Sequence, residues 1–182
     1  MLILASNSST RAKILSDHGV EFQQKGCDFD EDGIIAKTPK EFVYLSAKGK
    51  MEVCQERFGL DTPLLCADTV VTANNKILRK AKDINEAREI LLMQSENQVS
   101  IITALLYKSK TLSFTDISAT IYSFDRFKED DLESFLKSGE WRGKAGACMV
   151  EGFCKKYIKD VKGLESCAMG LQIEKLLPFL KF

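Results

Sequence analysis

Hydrophobic and polar positions change period several times along the chain, and each change predicts an element. Leu2 to Ala5 is a short apolar run, the pattern of a strand buried on both faces. Ser6-Asn7-Ser8-Ser9-Thr10 interrupts it, and from Arg11 to His18 the spacing of Ile14 and Leu15 predicts an amphipathic helix. Val20 to Gln24 reads as a second strand, followed by an acidic, glycine-containing loop that Pro39 closes. Between Lys40 and Phe58, Phe42, Val43, Leu45, Ala47, Met51, Val53 and Cys54 predict a long amphipathic helix, with Pro39 suited to its first turn and Gly59 to its end.

The second half alternates in the same way. Leu64 to Leu78 reads as a strand with an acid at its centre, a tight Asn74-Asn75 turn and a return strand, because paired asparagines tolerate positive φ. Asp83 caps a helix running to about Met93, Val99–Lys108 and Leu112–Phe124 predict two long antiparallel strands, and Lys128–Gly139 predicts a helix ended by its glycine. A strand near Tyr157 to Val161 and a last helix from about Gln172 complete the reading. Strands alternate with helices while some pair by hairpin, so the predicted class is α/β with a mixed, partly antiparallel sheet and flanking helices. At 182 residues one domain, 1–182, is expected, with room for two lobes.

Charge narrows the partners. Lys plus Arg and Asp plus Glu each total 26, so no global field favours an extended nucleic acid or an anionic membrane. No apolar run approaches the roughly 20 residues that span a bilayer, and no leader pattern precedes the first strand, so a cytoplasmic location is expected. The six cysteines, Cys27, Cys54, Cys66, Cys148, Cys154 and Cys167, contain no Cys-x-x-Cys pair, and free, mostly buried thiols are expected. His18 is the single histidine and falls at a helix end, which argues against a Ser-His-Asp triad, a Cys-His dyad or a multi-histidine metal site. Hydrolytic chemistry would have to rest on carboxylates, lysines, arginine and a metal.

Four stretches carry such groups. Small hydroxyl residues before a helix, followed by Arg11, suit an anion at the helix N-terminus, although a serine cap with a solvated arginine is the simpler reading of that stretch alone. Asp28, Asp30, Asp32 and Gly33 begin like an EF-hand loop, but Pro39 stands where its bidentate glutamate belongs; a solvated acidic loop and a magnesium-ligand loop both remain open. Asp68, after Leu64-Leu65-Cys66-Ala67 and before Val70-Val71, is the sharpest anomaly, because a carboxylate in an apolar strand needs a cation, a metal or an exit into a cleft. Ser138 to Gly152 gathers small residues around Lys144 without the order of a phosphate loop, and it permits close backbone approach to a ligand or to another element.

In order, Leu2–Arg11, the acidic Asp28–Asp32 segment, Ala47–Val53, Ala67–Val71, Lys80, Ile101–Leu105, Ser138–Ala147 and Ser166–Leu171 resemble the motif series of the Maf family of nucleoside triphosphate pyrophosphatases over essentially the whole chain. The resemblance implies a two-lobed mixed α/β fold with a central cleft, a homodimer, and cleavage of a nucleoside triphosphate to monophosphate and pyrophosphate with a divalent metal, magnesium or manganese. It implies Ser6, Ser8 and Arg11 as triphosphate ligands, Glu31, Lys50, Asp68 and Lys80 as catalytic residues, and Asp68 with Glu31 as metal ligands.

Departures from the pattern concern the base. Thr10 replaces one of the two arginines of the dTTP/UTP-type branch, Thr69 matches that branch, and Glu151 stands where it has glutamine. Glutamate there resembles the branch that acts on 7-methyl-GTP, so Thr69 and Glu151, both substrate-binding candidates, point in different directions. A nucleotide-binding regulator of cell division without turnover and another metal-dependent small-phosphate hydrolase are the competing readings.

Overall fold

The computed structural model describes residues 1–180 of the chain. Its strands are β1 (Leu2–Leu4), β2 (Phe22–Gln24), β3 (Leu64–Ala73), β4 (Lys76–Ile77), β5 (Gln98–Lys108), β6 (Ser113–Phe124) and β7 (Ile158–Lys162). They form a seven-stranded mixed sheet in the order β2-β1-β3-β5-β6-β7, with β4 paired to β3. β1 runs parallel to both β2 and β3, while β3–β4 and β6–β7 are antiparallel. The helices are α1 (Ser9–Asp17), α2 (Pro39–Phe58), α3 (Ile84–Gln94), α4 (Glu129–Ser138), α5 (Glu165–Ala168) and α6 (Ile173–Leu176).

Local chemistry explains the boundaries. Ser8 and Thr38 hold extended backbone, and their hydroxyls accept from the amides of Arg11 and Glu41, starting α1 and α2. The Glu41 carboxylate reaches back to the Lys37 N–H at 2.7 Å, satisfying another amide at that end. Asp83 and Glu86 repeat the device at α3, the aspartate accepting from Asn85 and Glu86 and the glutamate from Lys82. Asn74 and Asn75 take φ of 50° and 59°, the turn conformation that the asparagine pair predicts between β3 and β4. His18 lies just beyond α1, its Nδ1 donating to the Ile14 carbonyl at 2.8 Å.

The chain divides into two compact units. The first comprises Met1–Thr69, Ile102–Ala119 and the chain from Leu164 on. Its core gathers Leu4, Leu15, Leu65, Leu105, Leu171 and Leu176, all fully buried. Such side chains contribute about 2 kcal/mol each by leaving water. The second comprises Val70–Ile101 and Thr120–Gly163. At its centre Phe127 lies 5.7, 5.2 and 4.8 Å, ring to ring, from Phe124, Phe153 and Tyr157, and the buried Trp141 donates its indole N–H to the Leu136 carbonyl.

Two expectations need correction. Free thiols fail for four of the six cysteines: Cys27 is bonded to Cys54 and Cys148 to Cys154, while Cys66 and Cys167 are buried outside any disulfide. Spacing alone hid both pairs, one of which joins an irregular loop to α2 and the other the two ends of a short loop. The second strand begins at Phe22 rather than Val20, because the Val20 N–H is spent on the Leu15 carbonyl at the turn that ends α1. Among the described residues no helix is long and apolar enough to cross a membrane.

Candidate active site

β1 feeds α1 and returns as β2 on one side, while β3 pairs with it on the other. Their carboxyl ends therefore border a topological switch point, where α/β sheets present ligand crevices. Ser6 and Ser8 follow β1 there, and Asp68 and Thr69 lie on β3.

Asp68 is 8% exposed. Its Oδ1 accepts from the Lys50 ammonium of α2 at 2.6 Å. The same ammonium lies 2.5 Å from Glu31 Oε1, which also accepts from the buried Ser46 hydroxyl at 3.2 Å. One cation thus gathers two carboxylates from separate parts of the chain. Lys50 and Ser46 are one helical turn apart on the same face of α2, so that face presents both partners to Glu31. The loop bearing Glu31 is tied to the same helix by Cys27–Cys54 and by the Phe29 ring, which fills the space a side chain at Gly49 would occupy.

Arg11 forms the other half of this arrangement. Its Nε donates to the Gly170 carbonyl at 2.8 Å, Nη1 to Ser6 Oγ at 3.1 Å and Nη2 to Thr69 Oγ1 at 3.1 Å. Burial lowers the guanidinium pKa, and the negative charges of Asp68 and Glu31 pull it back upward. The side chain remains a cation, and all three of its hydrogen-bond acceptors are uncharged. A half-buried cation seated only on neutral acceptors is suited to an anionic ligand. Ser8 serves as the cap of α1, and Ser6 Oγ accepts from both the Ser8 amide and Arg11.

Lys80 and Glu151 belong to the second unit and are exposed there. Lys80 pairs with Ala145 in an isolated antiparallel bridge. The adjoining Gly146 has φ of +70°, its N–H is shared between the Leu78 and Arg79 carbonyls, and its own carbonyl accepts from the buried Gln94 amide at 2.6 Å. The Ser138–Gly152 segment is thus a scaffold for the backbone around Lys80. Glu151 lies in the loop that Cys148–Cys154 closes.

The site's donors are carboxylate oxygens, which suit a hard divalent ion. Among the described residues no group of three or more His, Cys, Asp or Glu side chains could hold a metal. Two carboxylates nevertheless fit magnesium or manganese, since such ions commonly take one or two protein carboxylates and complete their shell with water and substrate phosphate. Sequence reasoning did not find Ser46, Gln94, Thr103 or Gly170, whose roles arise only from contacts across the fold.

A protein-family model described as Maf-like protein matches residues 1–182. A nucleoside triphosphate pyrophosphatase of a Nitratiruptor species is 56% identical over 183 residues, covering 100% of this chain and 99% of that one. A nucleoside triphosphate pyrophosphatase of Helicobacter pylori is 39% identical, covering 99% of this chain and 95% of its own. One from Campylobacter jejuni is 36% identical, covering 99% of this chain and 100% of its own.

Proposed function

Since the chain belongs to the Maf-like protein family, we propose that it is a nucleoside triphosphate pyrophosphatase, in which water cleaves the bond between the α and β phosphates and yields nucleoside monophosphate and pyrophosphate. The observation that carries the reading is the meeting of Asp68 and Glu31 on the Lys50 ammonium. A carboxylate drawn out of water, as Asp68 is, is costly unless paired, and two carboxylates sharing one lysine are poised to exchange that partner for other cations.

In this reading the Asp68 carboxylate orients the attacking water and takes its proton. Arg11, Lys50 and Lys80 neutralise the phosphates and the charge that develops on departing pyrophosphate, while Ser6 and Ser8 with the N-terminus of α1 receive phosphate oxygens. Asp68 and Glu31 would hold a magnesium or manganese ion. When bound, such an ion supplies positive charge that lets water approach a polyanion. Thr69 and Glu151 are the substrate-side residues; a carboxylate at Glu151 suits a cationic base such as that of 7-methyl-GTP, whereas Thr69 aligns the chain with dTTP or UTP. A homodimer, which the family resemblance implies, and the cytoplasmic location expected from the sequence complete the reading.

The test is a panel of canonical and methylated nucleoside triphosphates with magnesium or manganese, assayed separately for pyrophosphate and orthophosphate. Pyrophosphate with nucleoside monophosphate is the expected pair. Orthophosphate as sole inorganic product, or nucleotide binding without turnover, would replace the proposal with a phosphatase or a regulator. Comparing Glu151→Gln with the parent then shows whether Glu151 ranks the bases; an unchanged order removes it from base recognition.

A further inference from the structure

We propose that Thr103, a fully buried residue of β5, is a positioning residue that sets the Arg11 guanidinium by fixing the direction of the Thr69 hydroxyl. The inference rests on the reading of Arg11 as a phosphate ligand only for its effect on catalysis; the positioning itself is independent of that reading. Thr103 is 0% exposed, and its Oγ1 donates to the Cys167 carbonyl at 2.8 Å. A hydroxyl has one proton. With that proton committed to Cys167, the 2.9 Å contact between Thr103 and Thr69 Oγ1 has one direction: Thr69 donates and Thr103 accepts. The Thr69 oxygen is left with lone pairs only, and one of them meets Arg11 Nη2 at 3.1 Å.

The result is a one-way chain, Arg11 to Thr69 to Thr103 to the Cys167 carbonyl, in which both hydroxyl protons are spent. Reversal would turn the Thr69 O–H toward an arginine N–H, donor against donor. Gly170 closes the opposite side: its carbonyl accepts from Arg11 Nε, and a Cβ there would lie 3.1 Å from Thr69 Oγ1 and 3.3 Å from Arg11 Nε. Arg11 therefore occupies a socket with one fitting orientation. Thr69 offers a ligand no free O–H donor while that socket is assembled.

Thr103→Val keeps the shape and removes the hydroxyl, whereas Thr103→Ser keeps the hydroxyl. In protein carrying 15N-labelled arginine, the Arg11 Nη resonances are expected to be distinct in the parent and in Thr103→Ser, and averaged by rotation in Thr103→Val. The pyrophosphatase KM should rise roughly tenfold in Thr103→Val, the scale of one weakened hydrogen bond to a charged group, and return in Thr103→Ser. Combined with Arg11→Met, Thr103→Val should add no further loss. Unchanged Arg11 resonances in Thr103→Val, or losses that multiply in the double variant, would overturn the proposal. If the resonances average while Arg11→Met leaves KM and kcat intact, the positioning stands and the phosphate role of Arg11 falls. Should Thr103→Val fail to fold, Thr69→Val removes the acceptor itself and must release the same Arg11 signals.

Discussion

The first unit fixes its charged groups mainly with other side chains, whereas the second fixes Lys80 through the backbone beside it. Lys50, Asp68, Glu31 and Ser46 share two short ion pairs and a hydroxyl hydrogen bond, and Arg11 sits on Ser6, Thr69 and Gly170. Around Lys80 the contacts are a bridge to Ala145 and the amide and carbonyl of Gly146 held by Leu78, Arg79 and Gln94. The two designs fail differently. A charge network collapses when one charge is removed, while a backbone cradle yields when a side chain is added where none fits.

The largest effect is expected at Asp68. Asp68→Asn retains shape and loses charge, so turnover should fall by about 10³-fold, the usual range for a positioned base. Lys50 keeps Glu31 as a counter-charge in this variant, so the thermal midpoint should fall by less than in Lys50→Met while the rate falls by more. Steady-state pyrophosphate release beside a melting curve separates the two, and full turnover in a folded Asp68→Asn protein would remove Asp68 from the chemistry.

Lys50→Met comes next and strikes stability as well as rate. It leaves two carboxylates without the cation that gathers them, an arrangement that costs about 3 kcal/mol when one partner of a largely buried pair is deleted. Glu31 is 41% exposed, so relaxation of its loop into water should keep the observed loss at the lower end. Removing Glu31 in the same protein should restore part of the stability and none of the activity, which urea titration and the pyrophosphate assay would read separately.

The second unit should answer to Gly146→Ala instead. At φ +70° a side chain costs about 1–2 kcal/mol, and its Cβ would lie 3.0 Å from Val71 Cγ1. Denaturation should show that loss, with activity reduced only as far as Lys80 shifts with its bridge partner. A drop in turnover as deep as that of Asp68→Asn would erase the contrast between the two designs.

How far the sequence predicts these arrangements follows from the same contrast. Asp68 is legible because a carboxylate among Leu64, Leu65, Cys66, Val70 and Val71 conflicts with its own neighbourhood. The starts of α1 and α3 are legible because Ser8 and Asp83 act within three residues of themselves, and that of α2 because Pro39 suits a first turn. Thr103, Gln94 and Gly170 are ordinary in their local context; they matter through partners 34, 52 and 159 residues away. Nothing in local periodicity carries such pairings. The cysteines make the same point from the other side: Cys27 and Cys54 are 27 positions apart, and only the return of the loop over α2 brings their Cα atoms to 6.0 Å.

Cys66 gives the smallest effect and one confined to the first unit, because the cysteines of the second, Cys148 and Cys154, are bonded to each other. It lies on β3 two positions before Asp68, fully buried. Burial pushes its thiol up to about 12, against the opposing pull of Lys50 and Arg11. An unfolded thiol ionises near pH 8.5, at about its ordinary value. Below that pH both states keep the proton and Cys66 adds no pH dependence. Above it the unfolded chain releases a proton that the folded chain retains, so stability declines as pH rises toward about 12. Cys66→Ala should lose about 1 kcal/mol at pH 7 from reduced packing and recover it relative to the parent by pH 10, since only the parent carries the thiol's alkaline slope. Parallel denaturation curves for the two proteins at both pH values make the comparison, with every other titration cancelling between them. Equal slopes would mean that the thiol ionises as readily in the folded strand as in the unfolded chain, and that the cations of the site reach Cys66 strongly enough to offset its burial.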